Sequence, residues 1–177
     1  NNLYGLVHDG NTAHVVNYWN GLYRVIAQAN QVIDKVPPIT PMPEAQKKKV
    51  LGEARFLRAS AYFTAVRLWG DIPLITAPQT AASEDFLPAR TPQEEVYKLI
   101  VDDLIAAEAA GLDWMDVRGR VNLAAVKAQL ARVYLTMAGF PLKKGASHYK
   151  LAADKAAEVI TYANANPGTI NLFTTYE

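Results

Sequence analysis

A chain of 177 residues has the length of one domain, and with half of its residues hydrophobic it can bury a sizeable core. Its 18 basic and 17 acidic side chains leave a formal charge of +1, no electrostatic footprint for a nucleic acid or an acidic membrane face. The lack of cysteine excludes a disulfide framework, a thiol nucleophile and a cysteine-ligated zinc, and no apolar run approaches the ~20 residues that span a bilayer.

Residues 1–12 are polar and carry no signal-peptide pattern. The start at Asn1-Asn2 and the end at Tyr176-Glu177 read as those of a fragment, so any membrane anchor is expected outside this chain. The first helix is expected over 13–36, where Val15, Trp19, Leu22, Ile26, Ala29, Ile33 and Val36 recur at steps of three and four and make one apolar stripe. No helix can cross "PPITPMP" at 37–43, so a second helix over 44–69 should fold back on the first as an antiparallel hairpin. Its expected stripe is Val50, Ala54, Leu57, Ala61, Thr64 and Leu68, and Gly70 ends it, with Asp71 and Pro73 fixing the exit of the chain. Within the long 70–90 connection, "DIPLIT" (71–76) can run extended along the surface.

The third helix, over 91–110, opens at "TPQEE": Thr91 is the expected cap, Pro92 suits the first helical position, and Glu94 and Glu95 face the positive helix end. Its stripe is Tyr97, Ile100, Leu104 and Ala107, and Asp102-Asp103 is also read as a pair of early-turn carboxylates. The fourth helix (121–139) carries Leu123, Val126, Leu130, Val133 and Met137; the fifth (147–165) carries Tyr149, Ala152, Ala156, Val159 and Ala163. Gly111, Gly139 with Pro141, and Pro167 with Gly168 end these three. The fold class that follows is all-α, with tetratricopeptide-like helical hairpins in series and alanines that let helices approach closely. Leu130-Ala131 with Tyr134 is loosely similar to the first helix of that repeat and Tyr149 with Ala152 to the second, although the hairpin loop is longer than the repeat allows.

The stretch "GEARFLRASAYFTAVRLWGDIPLIT" (52–76) resembles the signature segment of the SusD-like (RagB/SusD) nutrient-binding outer-membrane lipoproteins. So do "YWNGLYRVIAQANQVIDKV" (18–36), "ARTPQEEVYKLIVDDLIAAE" (89–108) and "GRVNLAAVKAQLARVYLTMAG" (119–139), in the same order and spacing. The resemblance covers nearly the whole chain. It implies a SusD-like α/α superhelix in which 1–177 is one partial helical domain, without the lipid-anchor region and the later loop-rich part. The implied function is a cell-surface lid that captures oligosaccharides or another nutrient and hands them to a SusC-like TonB-dependent channel. That places it at the outer membrane of a Gram-negative bacterium, held by a lipid outside this chain, with no cofactor, metal or nucleic-acid partner.

Site candidates divide into signature and loop residues. Arg55, Arg58 and Arg67, with Glu53 and Asp71, offer bidentate donors for a ligand, or an internal network that orients the hairpin and the Gly70-Asp71-Ile72-Pro73 turn; the second reading is preferred. Arg58 and Tyr62, one turn apart, can stack guanidinium on ring. Sugar binding needs ring faces for the C–H side of a pyranose beside groups that pair with its hydroxyls. Tyr4, His8, Asp9 and Asn11 offer that mixture before the first helix, and Trp114 offers it in "GLDWMDVRGR", flanked by Asp113, Asp116 and Arg118. The competing reading for each is a loop whose ring tucks onto a helix end, while Trp19 and Trp69 are assigned to the core.

Catalytic signals are thin. His8, His14 and His148 form no His-Glu-x-x-His pair, there is no Gly-x-Ser-x-Gly elbow, and the neighbours Ser147 and His148 are expected to point apart. Asp9-Gly10-Asn11 is too short for a calcium loop. Two other functions stay open: a helical-repeat scaffold that docks on a partner channel through an exposed helix face such as that of Lys127, and, more weakly, a glycoside hydrolase.

Overall fold

The computed structural model describes residues 9–80, 87–116 and 119–170. It is all-α: α1 (Ala13–Lys35), α2 (Glu44–Trp69), α3 (Gln93–Glu108), α4 (Leu123–Ala138) and α5 (Ala146–Ala165) follow one another, with no strand among the described residues. Helices α1 and α2 form the first hairpin, α3 packs on the other side of α2, and α4 and α5 form a hairpin whose first helix rests on α3. The core runs through these layers, from Ile26 on α1 through Tyr62 and Val66 on α2 and Ile100 and Leu104 on α3 to Leu130 and Val133 on α4.

On α2 the buried arc differs from the expected stripe. Ala54 and Ala61 are buried, but Leu57 is 48% exposed and Leu68 58%, and the large side chains inside are Arg58, Tyr62, Phe63 and Val66. The helix is clasped between α1 and α3, so its buried arc is wider than one stripe and is centred on residues that pattern reading scores as polar or small. Tight packing explains the small residues: a Cβ on Gly52 would lie 2.4 Å from the Ala110 Cβ.

The turn after α2 is built by its own sequence. Gly70 takes φ +72, the left-handed region that glycine enters without a Cβ penalty, and α2 stops there. Asp71 then reaches forward, its Oδ1 accepting from the Gln93 N–H at 3.0 Å, so the cap of α3 is Asp71 and not the expected Thr91. Thr91 contributes its backbone instead: its N–H donates to the Ile72 carbonyl at 2.9 Å and its carbonyl accepts from Ile72 N–H at 3.3 Å, with Ile72 fully buried. Pro92 stands at the N-cap position, one residue ahead of the helix.

Residues 71–76 run extended at the surface as expected, with Ile72 buried, 73–75 half-buried and Thr76 exposed. They run as a strap along the α1–α2 hairpin, and side chains meet their backbone groups. Tyr23 Oη donates to the Pro73 carbonyl at 2.8 Å, and Asn30 Nδ2 to that of Ile75 at 2.9 Å. Tyr62 Oη donates to Ile75 O at 2.9 Å and lies 2.7 Å from Ile75 N–H, which donates to it. A half-buried extended segment without a sheet needs such partners, because each unpaired polar group there costs about 1–3 kcal/mol.

Candidate functional site

Several of the signature residues, Arg58, Tyr62, Glu53 and Asp71 among them, are engaged within the fold. Arg58 is buried and grips Asp103 of α3 with two bonds, Nε to Oδ2 at 2.7 Å and Nη2 to Oδ1 at 2.8 Å. Its Nη1 donates to Asn30 Oδ1 on α1 at 2.7 Å and to the Thr76 carbonyl of the strap at 3.2 Å. One guanidinium thus joins three helices and the strap, and it turns to Asp103 where stacking on Tyr62 was expected. The cation over a ring is Arg67, 5.0 Å from the centroid of Phe63. Asp103 is no early-turn carboxylate; it sits deep in α3 as the buried counter-charge. Burial, outweighing its bond to Ile75 and the nearby Arg58 charge, pushes the Tyr62 phenol up to about 12, so it stays protonated and can donate to the strap. Glu53 accepts from Arg120 Nε at 2.8 Å and also from its Nη2, tying α2 to the loop before α4.

The leading segment gives a turn where it is described. Asp9 Oδ1 accepts from Asn11 N–H at 3.0 Å and from the Thr12 hydroxyl at 3.1 Å, and the Thr12 hydroxyl accepts from Asp9 N–H at 3.0 Å. These bonds set the entry to α1. Tyr4, His8 and Arg118 lie outside the described residues.

Trp114 is placed most informatively. Its ring lies flat on that of Tyr162 from α5, centroids 4.2 Å apart and planes 6° from parallel. Both rings line an open cleft with Asp154, Glu158, Thr161 and Asn166. The loop behind Trp114 is anchored to the start of α4, Leu123 N–H donating to Asp113 O at 2.8 Å and Ala124 N–H to Trp114 O at 3.4 Å, while Asn122 caps that helix through Ala125 N–H at 2.9 Å. Tyr162 was not singled out from sequence. It falls one residue off the α5 stripe and one turn after Glu158, a spacing that puts a ring and a carboxylate on one face.

Beneath the ring pair lies a four-charge clamp. Lys127 of α4, expected on an exposed face, is buried and pairs with both Glu108 of α3 and Glu158 of α5, its Nζ also 5.6 Å from the Trp114 centroid. Lys155 completes the ring, 2.7 Å from Glu108 and 3.0 Å from Glu158. The bond from Lys127, with the help of Lys155, holds Glu158 below the usual carboxylate range. Burial pushes Glu108 upward, but its bonds to the same two lysines outweigh that and leave it lowered too. The opposite charges hold the Lys155 ammonium above its ordinary value although burial opposes them.

A second aromatic group stands at the other end of the molecule. Trp19 and Trp69 are half-buried, edge to face at 5.1 Å, and Tyr18 lies 6.3 Å from Trp69 with half of its surface exposed. Ser147 and His148 do not point apart: Oγ lies 3.2 Å from Nδ1. The Ser147 hydroxyl also donates to the Lys144 carbonyl at 3.3 Å, and among the described residues no carboxylate hydrogen-bonds the imidazole, so the pair lacks an orienting third member.

Residues 2–135 match the SusD-like family described as "Starch-binding associating with outer membrane". A SusD-like protein of Bacteroides ovatus is 34% identical over 161 residues, which make up 90% of this chain and 29% of that protein. A solved SusD superfamily protein from Parabacteroides distasonis superposes with a TM-score of 0.90 at 34% identity, covering 99% of this chain and 36% of its own. A further protein, solved with xylogluco-oligosaccharide, superposes with a TM-score of 0.81 at 29% identity, covering 96% of this chain and 33% of its own. The chain therefore spans about a third of the length of these relatives. With the helix order, the Gly70–Pro73 turn and the Arg58 network built on the segments that match, the chain belongs to the SusD-like family.

Proposed function

We propose that this chain is the helical part of a glycan-capture protein at the outer surface of a Gram-negative outer membrane. It would form one helical unit, 1–177, of a longer lipid-anchored protein that delivers its ligand to a SusC-like TonB-dependent channel. The observation that carries the reading is the family match over residues 2–135, whose description joins starch binding to the outer membrane. The fold-level match to a protein solved with xylogluco-oligosaccharide supports a glycan as the nutrient class. The chemistry is binding: ring faces stack on pyranose C–H surfaces while carboxylates and amides take the hydroxyls, and no bond is made or broken.

A protein-docking role has its own support. Tyr18, Val25, Leu57 and Leu68 are large apolar side chains exposed along the α1–α2 hairpin. Titration calorimetry of the full-length protein against a panel of neutral and charged polysaccharides, paired with a pull-down of the channel, tests both. Saturable binding of one polysaccharide class is expected. Channel association without any polysaccharide binding would shift the function from capture to docking.

A further inference from the structure

We propose that the Trp114–Tyr162 shelf is a stacking subsite for one neutral pyranose of a glycan chain, a reading that rests on the glycan-binding function proposed above. The shelf joins the two things a sugar needs, aromatic surface and hydroxyl partners, in one open cleft. Trp114 and Tyr162 are stacked face to face 4.2 Å apart, so Trp114 backs one side of Tyr162 and the platform is the outer face of Tyr162, with Thr161, Asn166, Asp154 and Glu158 in the same cleft. The C–H face of a pyranose seats on the outer face of Tyr162, which Trp114 backs, and the rim oxygens accept from its hydroxyls.

Charge selects the class. The ionic groups of the described cleft lining are both carboxylates, Asp154 and Glu158. The nearby ammonium groups are spent: Lys127 and Lys155 on Glu108 and Glu158, Lys150 on Asp154 at 2.8 and 2.9 Å. A uronate, sulfate or sialate could gain a cation from these lysines only by breaking one of the existing ion pairs and exposing its carboxylate, which costs affinity. Neutral hydroxyls meet the same carboxylates as good acceptors. The platform is also set before the ligand arrives, since the Trp114 loop is tied to the start of α4 and its ring is held between Tyr162 and the Lys127 clamp. Little ordering is left for the ligand to impose.

The test uses calorimetry on the full-length protein with a neutral xylogluco-oligosaccharide and an oligogalacturonide of equal length. The wild type should prefer the neutral sugar, and Tyr162→Ala should weaken that binding roughly two- to tenfold while lowering the melting temperature by about a few degrees through the lost stack. Ala157→Arg, an exposed substitution that fills the cleft, should weaken it comparably without touching the core. If both variants bind the neutral sugar as the wild type does, the subsite is not here although glycan binding stands. Preference for the oligogalacturonide would overturn the neutral class alone. Failure of the wild type to bind either sugar, or any other glycan, would remove the glycan function itself.

Discussion

Arg58 and Asp103 form a buried ion pair in which every guanidinium nitrogen and both carboxylate oxygens are hydrogen-bonded, the guanidinium to Asp103, Asn30 and Thr76. Removing one member strands the other charge in a core, which costs about 3–5 kcal/mol, whereas replacing both with apolar groups is often close to neutral. Arg58→Met should therefore lower the urea midpoint severely, and Arg58→Met with Asp103→Leu should recover most of the loss. A double variant as unstable as the single one would mean that Arg58 matters chiefly through Asn30 and the strap. This pair also shows what a single sequence hides. Asp103 is 45 positions from Arg58, so no local spacing announces it, and a polar residue on a core face displaces the apparent stripe. Leu57 looked interior for that reason, and Lys127 looked exposed because its two carboxylate partners come from other helices.

At the scale of the element, the five helices and their stops were legible, because proline linkers and glycines such as Gly70 act through their own backbones. The cap of α3 was not, since Asp71 lies 22 positions before the amide it accepts from. Nor could periodicity reveal how close α2 and α3 come. At Gly52 two effects oppose each other. Glycine in a helix interior is about 1 kcal/mol worse than alanine, so Gly52→Ala on an isolated α2 would stabilise it. In the fold the new Cβ would lie 2.4 Å from the Ala110 Cβ, and the helices must part at a cost of about 1–3 kcal/mol. The clash should win, giving net destabilisation in thermal unfolding. Gly52→Ala combined with Ala110→Gly should regain stability, because the remaining neighbours, Ala107 Cα and O at 3.5 Å, are ordinary contacts. An unchanged midpoint for Gly52→Ala alone would show that the crossing yields more easily than a packed contact should.

Across the whole molecule, α5 depends on charge more than its neighbours do. Ala152 is its one buried residue among the described residues, and the Lys127–Glu158 and Lys155–Glu108 pairs bind it to α4 and α3. Glu108 and Glu158 are held below their unfolded values, near 4.3 for a glutamate, so their contribution is complete above about that pH and is lost as pH falls through the lowered values. Lys155 is raised, so its share is complete below about pH 10.4 and is lost as pH rises through the folded value. Between those limits the clamp is intact and stability should be flat with respect to these groups. Below about pH 4 the α4–α5 hairpin should loosen first, carrying Tyr162 off Trp114. Tryptophan fluorescence, compared with that of a Trp114→Phe variant to isolate the one ring, should report an acid transition ahead of the loss of helical circular dichroism. Lys127→Met should be less stable at neutral pH and less sensitive to acid, because its two glutamates are then no longer held low by that ammonium. Lys127→Glu should be worse still, adding a third carboxylate to a buried cluster. If wild type and Lys127→Met share the same acid midpoint and slope, the clamp does not govern α5, and the shelf that Trp114 and Tyr162 form owes its position to packing alone.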